Sequence, residues 1–395
     1  SMNNQQPTTF YLSQRAIDNL RTFRYRGEDQ SYLYNAILSP FAAFLVNNCT
    51  PAFLAPNIIT LLGLCCMIAS YASLWYYAPR IETPESSQVP GWIFVFHAWA
   101  LLVYQTLDNM DGKQARRTGS STPLGLLFDH GCDAVNSIFG SAGWILGLGL
   151  SWDRDYFLCL MLIFGPFALF FAATWEEYHT GELILPTING PSEGLVGAAL
   201  LSLVAYFHPQ FWQSTTISDS IGLSSVLTTP IRNADIQVFV ASLGITRELV
   251  VRTFSVTRKY GIKSLTLQLP FWIFVSLQVV NRNLWITLPR TALHLSSAIF
   301  VENVTQLMMN HVTDTEYSIA FRYAILIPVA LLMVLEHFIN LRDIKSHLNF
   351  FDCSDLWIVY TTILWTYLFC KFRLIVHEIC LVLDIQCFHI SKQTK

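Results

Sequence analysis

Residues 108–133 read DNMDGKQARRTGSSTPLGLLFDHGCD, and this stretch decides the fold because it places four aspartates beside two apolar segments. One apolar segment, 92–107, comes directly before it, and another runs from Leu124 toward Leu150. Charged side chains at such positions in apolar helices are energetically costly and usually functional. The stretch therefore predicts a site built between two helices that span a membrane.

The composition of the whole chain agrees with a membrane protein. Of its 395 residues, 53% are hydrophobic and only 13% are charged, whereas soluble domains carry about 25% charged residues. Apolar runs recur that are long enough for spans of about 20 residues. They predict an all-α, polytopic membrane helical bundle of about ten transmembrane helices, at 57–77, 92–107, 124–150, 157–174, 194–207, 236–253, 268–283, 289–308, 319–337 and 355–385.

The N-terminal part differs from these spans. Residues 13–38 mix four arginines with apolar side chains, a pattern that predicts an interfacial amphipathic helix, with a solvated arm as the alternative. We divide the chain into an N-terminal cytosolic or interfacial segment (1–50), catalytic helices (51–210) and C-terminal transmembrane helices (211–395). The last group would form a chamber for a lipid substrate, a dimer interface, or both.

Charge gives two further predictions. The net charge is −3, and no basic block is long enough to follow a phosphate backbone, which excludes nucleic acid as a partner. Lys113, Arg116 and Arg117 cluster in a predicted short loop after the second span. Basic residues near span ends favour the cytoplasmic side, so we expect the aspartates to face the cytosol.

The spacing of the aspartates predicts that they converge. Asp108 and Asp111 form an i, i+3 pair, and Asp129 and Asp133 form an i, i+4 pair, so each pair shares one helical face. Four close carboxylates repel unless protons or cations lie among them. Oxygen-only ligands suit Mg²⁺ or Mn²⁺, and paired ions favour phosphoryl or phospho-alcohol transfer.

Three residues next to the aspartates suit a nucleotide diphosphate. Gly112 allows a close approach of the backbone, Ala115 keeps the surface shallow, and Arg116 offers a planar fork for pyrophosphate oxygens. Gly125, near Pro123, permits tight contact between the second and third spans.

The pattern DxxDGxxARx8GxxxDxxxD, fitted without a gap from Asp108 to Asp133, resembles the CDP-alcohol phosphotransferase class-I family. The neighbouring APNIIT (55–60) and WEEYHTG (175–181) are similar to its eukaryotic cholinephosphotransferase and ethanolaminephosphotransferase branch. The resemblance implies an enzyme of the endoplasmic reticulum or Golgi membrane. Its substrates would be CDP-choline or CDP-ethanolamine and diacylglycerol, its cofactor two Mg²⁺ or Mn²⁺ ions, and its products a phospholipid and CMP.

The resemblance also implies roles for individual residues. It places the metal ions on Asp108, Asp111, Asp129 and Asp133 and the CDP moiety against Asn57, Asp108, Asp111, Gly112, Ala115, Arg116 and Gly125. The base that deprotonates the lipid hydroxyl is either His130 or Asp133. His130 is favoured because imidazole accepts protons near neutrality. Related enzymes often carry an acid where this chain has Leu126, so His130 lacks that carboxylate.

Several alternatives stay open. A CDP-diacylglycerol-dependent phosphatidyltransferase, for example with inositol as acceptor, would use the same motif, and a cation transporter would use intramembrane aspartates as an ion path. The sequence does not separate choline from ethanolamine. A homodimer is compatible with the resemblance and with small residues at 140–150, although internal packing explains these equally well. Glu176, Glu177 and His179 are expected in a solvated loop, with the mouth of the site as the alternative.

Overall fold

The computed structural model describes residues 9–82, 89–222, 229–341 and 353–390. Parts of the predicted N-terminal segment and C-terminal region therefore lie outside the described residues. Within these ranges the regular secondary structure is helical, as the sequence predicts, except for two short strands. The elements are α1 (Gln14–Thr22), β1 (Gly27–Asp29), α2 (Ser39–Asn48), α3 (Pro56–Tyr77), α4 (Trp92–Thr118), α5 (Pro123–Gly147), α6 (Tyr156–Thr180), β2 (Leu183–Leu185), α7 (Leu195–Phe207), α8 (Thr216–Ser220), α9 (Asn233–Tyr260), α10 (Leu269–Val280), α11 (Arg282–Thr287), α12 (Pro289–Thr313), α13 (Ile319–Leu341) and α14 (Cys353–Leu383).

A helix lies at each of the ten places where an apolar run predicts one. Five helical stretches in the described part of the chain are long and apolar enough to cross a membrane, namely Pro56–Tyr77, Tyr156–Thr180, Gly190–Phe207, Ile262–Val280 and Ile319–Ile339. They indicate an integral membrane protein. The other five, α4, α5, α9, α12 and α14, are 25 to 31 residues long but carry more polar side chains, including those of the predicted site.

The helix α4 continues through most of the polar motif. Its backbone stays helical until Gly119, whose φ of 67° lies in the left-handed region that favours glycine and ends the helix. Lys113, Arg116 and Arg117 therefore lie in the last turns of α4, and their predicted placement in a loop is wrong. Intact helical geometry is what keeps the aspartates of this motif on one face.

The helix α6 is also longer than predicted. It runs to Thr180 and ends at Gly181, with φ 78°. Glu176, Glu177 and His179 belong to its last two turns, so the predicted solvated loop is wrong. Glu177 is only 1% exposed, and Glu176 pairs with Arg252 of α9. Polar side chains did not end this helix because other helices cover them.

Glycines set the close contacts among α3, α4 and α5. A Cβ on Gly63 of α3 would lie 3.3 Å from the ring of Tyr104 in α4, and a Cβ on Gly143 of α5 would overlap His97 of α4. Gly125 was predicted to allow close contact between α4 and α5. A Cβ at this position would instead lie 3.7 Å from the Asn57 amide oxygen, so Gly125 faces α3 and not α4. The small residues of 140–150 are mostly buried by other parts of the same chain, which favours internal packing over a dimer contact.

The range 13–38 holds three elements rather than one amphipathic helix, namely α1, β1 and a helical segment at Tyr34–Leu38 that leads into α2. The helix α1 ends at Thr22, and β1 pairs in parallel with β2, with Gly27 opposite Leu183. The apolar face of α1, formed by Ala16, Ile17 and Leu20, packs into a buried cluster with residues of α12 and α14. This face is covered by protein, and no lipid contact is needed to explain it.

A buried carboxylate fixes the segment before α1. Glu378 of α14 is 3% exposed, and its two oxygens accept hydrogen bonds of 2.7 to 3.0 Å from the backbone amides of Phe10, Tyr11 and Leu12. Such charge-assisted bonds are shorter and stronger than neutral ones. Glu378 therefore attaches the start of the described chain to its last helix.

A second buried charge cluster joins the C-terminal helices. Glu302 of α12 lies 2.9 Å from Arg322 of α13 and 2.8 Å from Lys371 of α14. All three side chains are almost fully buried. Removing one partner of such a cluster would leave an uncompensated buried charge, so α12, α13 and α14 are held in one arrangement.

Replacing Glu378 tests the attachment of α1. In Glu378→Ala the three amides lose a charged acceptor, and we expect about 3 kcal/mol of local stabilisation to disappear. Trypsin should then cleave at Arg15 and Arg21 about 100-fold faster than in the parent protein. Asp18→Ala, on the exposed face of α1, is the control and should cleave at the parent rate. Equal rates for all three proteins would show that Glu378 does not hold this segment.

Candidate active site

Three helices bring the predicted residues to one place. The helix α3 starts at Pro56 and carries Asn57 and Thr60 in its first turns. The last turns of α4 carry the first two aspartates of the motif. The helix α5 starts behind Thr122, whose side chain accepts a hydrogen bond from the Gly125 amide, and carries Asp129 and Asp133. Two helix starts and one helix end therefore surround the site.

The four aspartates converge as two overlapping groups. Ligand atoms of Asp108, Asp111 and Asp129 lie within 4.8 Å of one another, and so do those of Asp129, His130 and Asp133. Asp129 belongs to both groups. The structure therefore brings together all four predicted metal ligands, and it places a ring nitrogen of His130 beside the second carboxylate pair. Two adjacent sets that share one carboxylate are the arrangement expected for a pair of ions.

The hydrogen bonding of these carboxylates leaves room for cations. Asp108 Oδ1 and Asp129 Oδ1 are buried and have no hydrogen-bond partner. Of the ion pairs that the described residues form, the only one to these four aspartates is from His130, whose Nδ1 is 3.6 Å from Asp129 Oδ2. Buried carboxylates without a positive partner are strongly unfavourable. Divalent cations with a preference for oxygen ligands fit this donor set.

Two hydroxyl groups hold the other aspartates in place. Thr60 of α3 donates a hydrogen bond to Asp111 Oδ2, and Tyr104 of α4 donates one to Asp133 Oδ1. Each bond orients one carboxylate oxygen and leaves the second available. Neither residue was among the predicted site residues. Helical spacing could have indicated them, since Thr60 follows Asn57 by three positions and Tyr104 precedes Asp108 by four.

The orientation of His130 depends on a backbone carbonyl. Its Nδ1 lies 3.2 Å from the carbonyl oxygen of Leu126, and a carbonyl can only accept. The contact is therefore a hydrogen bond when Nδ1 carries the proton, which leaves Nε2 as the acceptor. The side chain at position 126 is not required for this. The backbone of Leu126 thus orients the ring, although its side chain carries no acid.

Six of the seven predicted nucleotide residues line one cavity of about 180 Å³, and Asp108 is not among its lining residues. Its walls include Asn57, Asp111, Gly112, Ala115, Arg116, Gly125, Asp129 and His130. Arg116 is the basic residue of its cluster that faces this space. Lys113 donates to Ser39 at 2.8 Å, and Arg117 donates to the carbonyl oxygens of Val46 and Thr50, so both tie α4 to the α2 region.

Tyr25 also borders the site, although it was not among the predicted site residues. It lines the cavity and is half exposed. Burial raises the pKa of Tyr25, and the charges of Glu177 and Asp129 raise it further. The hydroxyl therefore stays protonated near neutrality and can donate a hydrogen bond into the cavity. Glu177 does not line the cavity, and its Oε1 lies 3.8 Å from His311 Nε2.

The last wall comes from the far end of the chain. Residues 385–389, which follow α14, contribute Ile385, Gln386, Cys387 and His389 to the cavity. The side-chain amide of Asn57 donates a 2.9 Å hydrogen bond to the Cys387 carbonyl oxygen. No motif in the sequence indicated this contact, because the two positions are 330 residues apart.

Comparison with known proteins agrees with this site. Residues 53–216, which contain α3 to α7 and all the motif residues, match the family model described as CDP-alcohol phosphatidyltransferase. A CDP-alcohol phosphatidyltransferase class-I family protein of Dictyostelium discoideum is 30% identical over 413 aligned positions, covering 97% of this chain and 99% of the relative. This similarity extends over nearly the whole chain.

Two relatives with more specific names match over shorter ranges. Choline/ethanolaminephosphotransferase 1 of Arabidopsis thaliana is 38% identical, covering 54% of this chain and 53% of the relative. Cholinephosphotransferase 1 of Saccharomyces cerevisiae is 36% identical, covering 47% of this chain and 46% of the relative.

Metal binding by the aspartates can be tested without any substrate. Ions that bind only the folded protein stabilise it, by about 2.7 kcal/mol at a concentration 100 times the dissociation constant. We expect Mg²⁺ or Mn²⁺ to raise the melting temperature of the detergent-solubilised protein and to have little effect on Asp129→Asn, which removes the shared ligand. Asp153→Asn, an exposed site, is the control. A full shift in Asp129→Asn would rule out the shared-ligand arrangement.

Proposed function

Because the chain belongs to the CDP-alcohol phosphatidyltransferase class-I family of membrane transferases in phospholipid biosynthesis, we propose that it transfers phosphoethanolamine or phosphocholine from its CDP-alcohol to diacylglycerol. The products are a phospholipid and CMP. The observation that carries this proposal is the convergence of two carboxylate groups on a cavity that Arg116, Gly112 and Asn57 also line. The names of the plant and yeast relatives support the choice of donor.

The cavity residues bind the donor in this proposal. Arg116 directs its guanidinium fork to the pyrophosphate oxygens. A Cβ on Gly112 would lie 3.5 Å from Arg116 Nη1, so a larger residue would press on the guanidinium. Ala115 leaves the neighbouring surface shallow, and Asn57 and Gly125 face the nucleoside. Among the described residues that line the cavity, Arg116 is the only arginine or lysine, which concentrates this role on it.

The aspartates would hold two divalent ions, Mg²⁺ or Mn²⁺, and Asp129 belongs to both groups of ligands. Such ions, when bound, neutralise the pyrophosphate and stabilise the charge that develops on its oxygens. The hydroxyl oxygen of diacylglycerol attacks the β-phosphorus, and the bond from this phosphorus to the bridging oxygen breaks. CMP leaves with that oxygen, and the hydroxyl proton passes to a base on the protein.

We assign the base to His130, with Asp133 as the alternative. The hydrogen bond from Nδ1 to Leu126 leaves Nε2 as the acceptor of the proton. Asp133 already accepts a hydrogen bond from Tyr104 and is more useful as a ligand. A carboxylate bound to a cation is a weak base.

The remaining helices place this chemistry in a membrane. We propose that the helices at all ten predicted places span the membrane of the endoplasmic reticulum or Golgi. The end of α4 lies on the cytosolic side because its last turns are basic. The water-soluble donor then enters from the cytosol, and diacylglycerol enters laterally. The C-terminal helices form the chamber for its acyl chains. The packing of α12 against α5 and α6 supports this proposal, because it puts a C-terminal helix next to the helices of the site.

An assay with purified protein tests the reaction. We expect CMP release from CDP-ethanolamine or CDP-choline with diacylglycerol, dependent on a divalent cation and stopped by a chelator. Asp129→Asn should lose about 10³-fold or more of the rate, since a cation contributes several kcal/mol to transition-state stabilisation. Asp153→Asn should keep the parent rate. Phosphatidylinositol formation from CDP-diacylglycerol and inositol, without activity on the other donors, would replace this proposal with the phosphatidyltransferase alternative.

Substitutions of the two candidate bases should affect kcat and metal binding differently. His130→Ala should lower kcat by about 10²- to 10⁴-fold while the stabilisation by Mg²⁺ is kept. Asp133→Asn should weaken that stabilisation together with kcat, because it removes a ligand. The measurements are kcat under saturating substrates and the metal-dependent melting temperature of each variant. A His130→Ala enzyme with a kcat near that of the parent would assign the base to Asp133.

A further inference from the structure

The segment after α14 turns back sharply over the site. The helix ends at Leu383, and Asp384 adopts a φ of 53°, in the left-handed region. The amide of Ile385 then bonds to the Cys380 carbonyl at 3.0 Å, which closes the helix end. We call residues 384–390 the C-terminal segment. Its direction is determined by a conformation that costs most non-glycine residues about 1–2 kcal/mol.

The C-terminal segment is attached to the motif helices at two points. Phe388 contacts Phe128 of α5 edge to face, with 5.7 Å between ring centroids. The Cys387 carbonyl accepts the hydrogen bond from Asn57 of α3. Between these contacts, four of its residues form a wall of the cavity that the motif lines. The segment therefore bridges α3 and α5 at the mouth of the site.

The hydrogen bond to Cys387 determines which way the Asn57 amide faces. A carbonyl oxygen can only accept, so the nitrogen of the amide must point to Cys387. The amide oxygen then lies on the side of Gly125, at the cavity wall. It is an acceptor for the amino or hydroxyl groups of a bound nucleoside. Without the segment, the amide would be free to rotate and would lose this orientation.

We propose that the C-terminal segment is part of the CDP-alcohol binding site and positions Asn57 through the Cys387 carbonyl. This inference rests on the proposed function for the identity of the ligand. It adds a wall that lies outside the matched region 53–216. The segment acts on donor binding and not on the acceptor, because its own residues and Asn57, which it orients, line the nucleotide cavity.

The conformation of Asp384 allows a sharp test. Glycine adopts a positive φ freely, whereas a β-branched residue there is a clear outlier. We expect Asp384→Gly to keep the parent KM for the CDP-alcohol. Asp384→Val should raise this KM about tenfold, because conformational strain of about 1–2 kcal/mol at position 384 would disfavour the bound arrangement of the segment. The KM for diacylglycerol should stay unchanged in both. Binding of CDP-ethanolamine in the presence of Mg²⁺, measured by calorimetry, should weaken by the same factor.

A double variant separates positioning from general loss of stability. If the segment acts through Asn57, Asp384→Val should change the donor KM little in an Asn57→Ala background. A chain ending after Ile390 should match the parent, while one ending after Leu383 should behave like Asp384→Val or worse.

These measurements distinguish a failure of the inference about the C-terminal segment from a failure of the proposed function. An unchanged donor KM and affinity in both Asp384→Val and the chain ending after Leu383 would overturn the inference while leaving the proposed function intact. So would equal losses for donor and acceptor, or full additivity with Asn57→Ala. Parent protein that binds CDP-ethanolamine but releases no CMP with any acceptor would refute the function alone. Parent protein that binds no CDP-alcohol would refute both.

Discussion

Mutual repulsion among four carboxylates at the ends of α4 and α5 is the constraint on which the rest of the structure depends. Two of their oxygens, on Asp108 and Asp129, are buried without a partner, so the cluster is tolerable only with positive charge or protons among them. Thr60 and Tyr104 each bind one oxygen and leave another exposed to a cation. The surrounding hydrogen bonds therefore orient the cluster without neutralising it.

Buried charge also explains why α4, α5, α12 and α14 are less apolar than the helices that could cross a membrane by composition. The helices α4 and α5 carry the aspartates, and α12 and α14 carry buried Glu302, Lys371 and Glu378, each paired or hydrogen-bonded inside the bundle. Charge inside an apolar bundle must be satisfied by protein. The apolar helices α3, α6 and α13 can face lipid over part of their surfaces. Hydropathy alone therefore detects only some of the helices that build the site.

Local spacing made the centre of the site predictable and left its edges unpredicted. The i, i+3 and i, i+4 pairs and the ten helical places follow from periodicity, and the structure has helices there. The burial of Glu177, the docking of α1 and the wall formed by residues 385–389 depend on contacts between distant parts of the chain. Cys387 and Asn57 share no sequence pattern, and backbone carbonyls carry no side-chain signal. The Leu126 carbonyl illustrates this, since it orients His130 whatever side chain stands at that position.

The clamp of Glu378 on three N-terminal amides has a consequence for biosynthesis. Residues 10–12 are translated before their carboxylate partner, which follows them by 366 to 368 positions in the chain. Long sequence separation makes such a contact slow to form, and α1 must wait with its apolar face exposed until α14 has been translated. Until then this face is open to chaperones and proteases. The clamp thus makes the docking of α1 dependent on the arrival of α14.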